Sequence, residues 1–289
     1  MLRSLLTAAA LSLPLALATS AGAQEGAWIP KAQGNRIGVD IDLWPTDNAN
    51  AVGFGIVGQF RVARSAYIDF DVPWAVWDYR VPGLRDRNSA FVFGNPTVGA
   101  HWADTLSDRV SAHAGGSLTI STRISGDRLI IDPDDIEHYG ARSALTYSRA
   151  FADVHRFIPD RMLLRGKGGI EVRLASVAYY RLDIVPVIAI AVGERANQSD
   201  FILEVHNEFE ARSRKGIGGG VRLQTVFLAT DPFNDRDAFQ AAIEPYFAYE
   251  PLRGFYARLG ILVALDEPLG FGLNENKLAS FRVSLGGKW

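Results

Sequence analysis

The sequence predicts an all-β fold: a single transmembrane antiparallel β-barrel of about twelve strands, with a short helix in its third extracellular loop. Three observations predict it. The chain ends on ASFRVSLGGKW, where Phe281, Val283, Leu285 and Trp289 share one face and Ser280, Arg282, Ser284 and Lys288 the other. That period of two is a strand's, apolar outward and polar inward, and a terminal aromatic closing it is typical of the last strand of bacterial outer-membrane barrels. At the other end, Met1-Leu2-Arg3, an apolar core from Leu5 to Ala18 and Ala21-Gly22-Ala23 form a secretory leader cut after Ala23. Its core falls short of the roughly 20 residues that span a bilayer as a helix. Finally, 48% of the residues are hydrophobic, yet the most apolar later run, Ile184 to Val192, is broken by Pro186 and has only the length of a spanning strand. In lipid every backbone polar group must be satisfied internally, which only helices and closed barrels achieve.

Two regions follow, a signal peptide over 1–23 and an outer-membrane barrel over 24–289. Losing Arg3 takes the formal net charge from −2 to about −3, so the mature chain is no basic nucleic-acid binder. It has no cysteine, so neither disulfides nor thiolate metal sites stabilise it, and a closed hydrogen-bonded barrel would supply that stability instead.

Alternating segments place strands at 36–44, 51–63, 66–78, 90–103, 109–122, 161–175, 177–193, 200–211, 215–229, 238–249, 254–265 and 277–289. Twelve is even, as single-chain outer-membrane barrels usually require, and the connections alternate in length as an up-and-down barrel demands. Short inner turns fall at 63–65, 104–108, 176, 212–214 and 250–253. Longer outer loops fall at 79–89, 123–160, 230–237 and 266–276, with moderate ones at 45–50 and 194–199. In the third outer loop Asp132-Pro133-Asp134-Asp135 reads as a helix start, and no period of two follows from Ile136 to Arg149. The rival is an extra strand pair across 138–152, giving fourteen. In this register Trp102, Tyr180, Tyr249, Phe255 and Trp289 face lipid near the periplasmic rim and Trp74 towards the outer rim, as interfacial aromatics do.

Three segments carry a family likeness: Phe60 to Trp74, Gly94-Asn95-Pro96-Thr97-Val98-Gly99-Ala100, and Val263 to Trp289. In order and character they resemble the phenol-degradation (meta-pathway) outer-membrane transporter family. The chain departs from that pattern with Asn95 where the family has Asp, and with Gly287-Lys288-Trp289 where it ends Tyr-x-Phe. The resemblance implies uptake of small, often aromatic molecules and no catalytic residues.

Projecting the inward positions nominates lumen residues: Asp40, Asp42, Asp69, Asp71, Arg165, Lys167, Arg173, Arg181, Glu204, His206, Glu208, Arg222, Arg258 and Arg282, accompanied by Glu171, Asp183 and Glu210. They would serve either as a charge-lined eyelet that selects solutes or as a cross-strand ion-pair network filling a modest lumen. Arg282 on the closing strand would face Asp40 and Asp42 on the first. The two signs are similar in number, which argues against strong ion selectivity. A serine-hydrolase reading lacks a His-x-Ser on any strand, since His113 and Ser117 lie four positions apart, roughly 13 Å along a strand. His138 and His155, with Ser143 and Ser148, would have to meet in the third loop. The acid clusters at Asp132 to Asp135 and Asp231 to Asp237 lack calcium-loop spacing, and Gly218-Gly219-Gly220 falls mid-strand with no helix to cradle a phosphate.

The expected function is passive passage of small molecules across an outer membrane, with no cofactor, metal or nucleic acid. Expected partners are membrane lipid, the barrel-insertion machinery (through the closing strand) and a small solute. The alternatives are a non-conducting barrel acting through its loops and an outer-membrane lipid hydrolase.

Overall fold

The computed structural model describes residues 29–45, 49–80, 87–122, 153–192, 199–229, 239–265 and 279–289. Thirteen strands form one sheet: β1 (Arg36–Pro45), β2 (Ala49–Arg61), β3 (Ala66–Arg80), β4 (Arg87–Phe93), β5 (Thr97–Ser107), β6 (Val110–Thr119), β7 (Arg161–Arg173), β8 (Ala178–Ala191), β9 (Asp200–Arg212), β10 (Ile217–Leu228), β11 (Phe239–Tyr249), β12 (Gly254–Ala264) and β13 (Ala279–Lys288). Apart from β4 and β5, neighbours in sequence pair antiparallel, and β13 pairs with β1 from Arg36↔Lys288 to Leu43↔Phe281, which closes the barrel.

The barrel nonetheless has twelve staves. β4 and β5 are two halves of one, both paired to β3: β4 along Trp74 to Arg80, β5 along Ala66 to Asp71. Gly94-Asn95-Pro96 interrupts that stave, and Pro96 has no N–H to give to a ladder. The fourteen-strand alternative is overturned, because β6 pairs directly with β7 and leaves no room for a strand pair between them. The strands also run further outward than their alternation suggested. The β1–β2 ladder continues to Pro45↔Asn50 and β3–β4 to Arg80↔Arg87, because backbone pairing does not stop where hydrophobic contrast fades. The leader, the helix expected near 132–149, His138, Ser143, Ser148 and the two acidic loop clusters lie outside the described residues.

The outer wall is apolar. Ile37, Val39 and Leu43 on β1, Ile184 and Ile188 on β8, and Phe281 and Leu285 on β13 are all 38–49% exposed. So extensive an apolar surface belongs against lipid hydrocarbon rather than water, and the closed ladder leaves no spanning backbone edge to desolvate. Trp102, Tyr249, Phe255 and Trp289 are likewise exposed around the end that carries the short turns, and Trp289 packs 5.9 Å from Phe60. Tyr180 lies against outward-facing Phe209 at 4.7 Å, and Trp74 stacks on Phe54 at 5.7 Å. The expected aromatic placement therefore holds at these positions.

Candidate functional site: a lumen narrowed from both ends

Alternation along each stave sends the nominated charges inward, and the barrel brings them together in three linked groups. Towards the outer mouth, Arg282 Nε donates to Asp42 Oδ1 at 2.9 Å across the closing seam, while its Nη1 reaches Glu244 at 3.3 Å. Asp40 instead accepts from Ser284 Oγ at 2.7 Å. At mid-height Glu208 is the hub, contacted by Arg222 at 3.2 Å, Arg258 at 3.3 Å and the Tyr246 hydroxyl at 2.5 Å. Tyr246 can reach so far because Gly220 faces it: a Cβ there would sit 2.7 Å from its hydroxyl. This gives the mid-strand glycine run a packing role. On the facing wall Asp183 accepts from Arg181 Nε at 2.7 Å, and Asp69 is bonded to His101 Nδ1 at 2.5 Å. Glu204 holds Arg165 and His206, and Arg173 is buried near the inner rim.

Two segments that alternation does not reveal enter this lumen. From the inner end comes 29–35. Its Lys31 amine lies 2.6 Å from both Glu208 and Glu210. The backbone N–H groups of Lys31 and Ala32 donate to the Glu171 carboxylate, and the Ala32 carbonyl lies 2.8 Å from His101 Nε2. Burial alone would lower the Lys31 amine's affinity for its proton, but Glu208, Glu210 and Glu250 outweigh it and raise the pKa above the ordinary value. Lys31-Ala32-Gln33 has no period to read, and its one signal was a lysine just before the first strand, facing a lumen with an acidic stripe.

From the outer end comes the close of the third loop, 153–160, with a 3₁₀ turn at Val154–Arg156. Arg156 donates to Asp71 at 2.7 Å and Asp40 at 2.8 Å, with Asp42 at 3.6 Å. Asp71, Asp40, Asp153 and Asp42 together outweigh the cost of burying the guanidinium and raise its pKa well above the ordinary arginine value. Asp153 reaches Arg282 at 2.8 Å and His155 reaches Asp71 at 3.2 Å. Val154 and Ile158 join Leu163, Val185, Val187, Ile202 and Val226 in one buried apolar cluster, while Phe157 joins Trp44, Ala51, Ala75 and Val92 in another.

The broken stave is what receives this turn. The Asn95 backbone N–H donates to the Arg156 carbonyl at 2.8 Å, and its side-chain amide donates to the carbonyls of His155 at 3.2 Å and Ile158 at 2.7 Å. A carboxylate could make neither side-chain bond, so this position calls for Asn rather than Asp. Gly94 is required by the same approach, as a Cβ there would meet the Arg156 carbonyl at 2.6 Å.

Between the two inserted segments lies a cavity of about 380 Å³, lined by Asp40, Asp69, Asp71, Arg165, Lys167, Arg181, His206, Arg222, Arg258 and Arg282 of the nominated set. Asp42, Glu204 and Glu208 are buried behind these. No family model matches the chain. No curated protein matches it either. Among solved structures, an outer membrane channel from Pseudomonas putida F1 superposes with a TM-score of 0.56 at 12% identity, covering 93% of this chain and 98% of that one. The NanC porin superposes at 0.53 and 7% identity, covering 87% and 98%. The fold is an outer-membrane β-barrel. At these identities the likeness is one of architecture, so the lumen is interpreted from its own residues.

Lys31, Arg36, Arg156, Glu244, Tyr246 and Tyr256 join the lumen without having been among the residues nominated from the sequence. Glu244 and Tyr246 were recoverable, because they alternate with outward Pro245 and Phe247 on β11. Each of the four described histidines is engaged by a carboxylate: His101 by Asp69, His113 by Asp183, His155 by Asp71 and His206 by Glu204.

Proposed function

We propose that the protein is a narrow outer-membrane channel or transporter for passive uptake of small molecules. The observation that carries this is a closed barrel enclosing a polar, charge-lined cavity, flanked by two short segments of the same chain rather than by further barrel wall. Ion pairs and small apolar anchors hold those segments, so they can be displaced without disturbing the backbone ladder. An export leader over 1–23 and insertion through the closing strand belong to the same reading. So does membership of the phenol-degradation transporter family, which the chain-wide order of its segments favours and which would make aromatic solutes the cargo. A non-enzymatic role accords with histidines held by carboxylates in the lumen rather than set beside a serine near the outer rim.

Reconstitution in planar bilayers tests the proposal. The full mature chain should give small, discrete conductance steps. A variant lacking 24–35 should give larger ones while still migrating differently on a denaturing gel before and after boiling. A folded barrel that stays silent in both forms would instead favour a non-conducting barrel acting through its loops.

A further inference from the structure

We propose that the cavity contains a binding site for a small organic carboxylate, a monoanion, built by Arg36, Lys167 and Tyr256. The proposal names the solute class of the channel and, as a claim about uptake, rests on that reading. Among the described residues the lumen charges are paired almost throughout, and Arg36 and Lys167 are the exception. Among the described residues, neither the Arg36 guanidinium nor the Lys167 amine has an ion-pair or hydrogen-bond partner, whereas Arg156, Arg165, Arg181, Arg222, Arg258 and Arg282 each have at least one. Both line the same cavity. Arg36 enters from the inner end of β1 and Lys167 from β7, five staves round the barrel, while Asp69 on β3 between them lies within electrostatic reach of both.

The local charge selects the ligand. Asp183 is matched by Arg181 and His113, while Asp69 is, among the described residues, the carboxylate facing the two unmatched cations and is itself held by His101. One positive charge is left over. The surplus is local to this group, because the other lining cations are matched by carboxylates that include Asp42, Glu204 and Glu208 just behind the cavity surface.

Geometry narrows the choice further. Guanidinium presents a planar fork that matches a carboxylate's two oxygens, and the lysine adds a point charge. The Tyr256 ring packs over Gly38, two residues along the lumen face from Arg36, and its hydroxyl contacts the position a Cβ would occupy there. That hydroxyl lines the cavity and has no hydrogen-bond partner among the described residues, so it can supply a third donor. Lys167 has its own local cause. The β7–β8 ladder pairs Arg165 with Val187 and resumes at Gly168↔Ile184, because Pro186 has no N–H to give and the wall opens there.

Calorimetric titration of the detergent-purified mature barrel at low chloride, with sodium benzoate and sodium acetate as probes and benzylamine as the cationic control, tests the site. Benzoate should bind saturably and benzylamine should not. Arg36→Gln and Lys167→Met should each weaken benzoate by about tenfold or more, the loss expected for one charge-assisted contact, while Lys167→Arg should retain binding within a few-fold. The proposal falls if benzoate gives no saturable heat, if benzylamine binds equally well, or if both charge-removing variants bind as the parent does while remaining heat-modifiable on gels. Conductance separates the two claims. Binding without conductance would keep the site and sink the uptake reading, and conductance without binding would do the reverse.

Discussion

Arg156 is the residue on which the docking of the outer segment turns. Its guanidinium neutralises carboxylates from two staves, Asp40 and Asp42 on β1 and Asp71 on β3, in a site where it is only 4% exposed. Removing one partner from a buried ion cluster costs about 3–5 kcal/mol, because the other charges stay buried and unmatched. Burial of Phe157 contributes roughly 1.5–3 kcal/mol by comparison. Arg156→Ala should therefore release the turn more fully than Phe157→Ala, and planar-bilayer recordings should show larger steps for the arginine variant. Asn95→Asp should act in the same direction, since two carbonyls lose their donor.

His155, in the same turn, makes the docking sensitive to pH. Burial, and then the Arg165 charge beside it, lower its pKa below the ordinary value, and Asp71 and Asp153 only partly offset them. The docked turn therefore favours neutral imidazole, whereas an undocked one would take up a proton near the ordinary pKa of about 6.5. The docked state binds fewer protons, so docking is intact above about 6.5 and weakens as the pH falls towards the depressed value. Conductance should rise on acidification from about pH 7.5 to 5.5, and His155→Asn should flatten that response. An unchanged profile in the variant would assign the pH effect to other groups.

At the scale of elements, the seam between β1 and β13 and the segment 29–35 make separate predictions. Asp42 and Arg282 are direct cross-strand partners as well as an ion pair, so the first and last staves are joined by side chains as well as by backbone. Arg282→Met removes the cation that Asp42, Glu244 and Asp153 share and should destabilise the barrel by about 3–5 kcal/mol. Its band should lose heat resistance at a lower temperature than the parent's, and adding Asp42→Asn should restore part of the loss. The inner segment depends on Lys31, whose removal leaves Glu208 and Glu210 to Arg222, Arg258 and Arg212. Lys31→Met should leave the barrel heat-modifiable while making the segment more accessible to protease. The staves themselves were legible in the sequence because lipid outside and polar lumen inside impose a strict period of two. Residues 29–35 and 153–160 were not legible as lumen elements, because an irregular segment buried in a lumen is held by individual contacts and carries no period.

For the whole molecule, twelve staves, an apolar exterior and inward charges follow from one constraint, the absence of water around the outer wall. That constraint acts on every strand, so it is written along the chain, and Asp40, Asp42, Arg181, Glu208 and Arg282 could be assigned to the lumen from parity alone. The sequence by itself determined that a closed barrel would form, which residues would face inward, and that the closing strand would bring Arg282 to the first. Which inward charges pair and which stay available was decided only by the tertiary structure. Arg156 and Lys31 reach their carboxylates across 85 to 179 residues of chain, and no local pattern records the three-dimensional positions that match them. The same holds for Arg36 and Lys167, whose availability is a consequence of where every other charge found its partner.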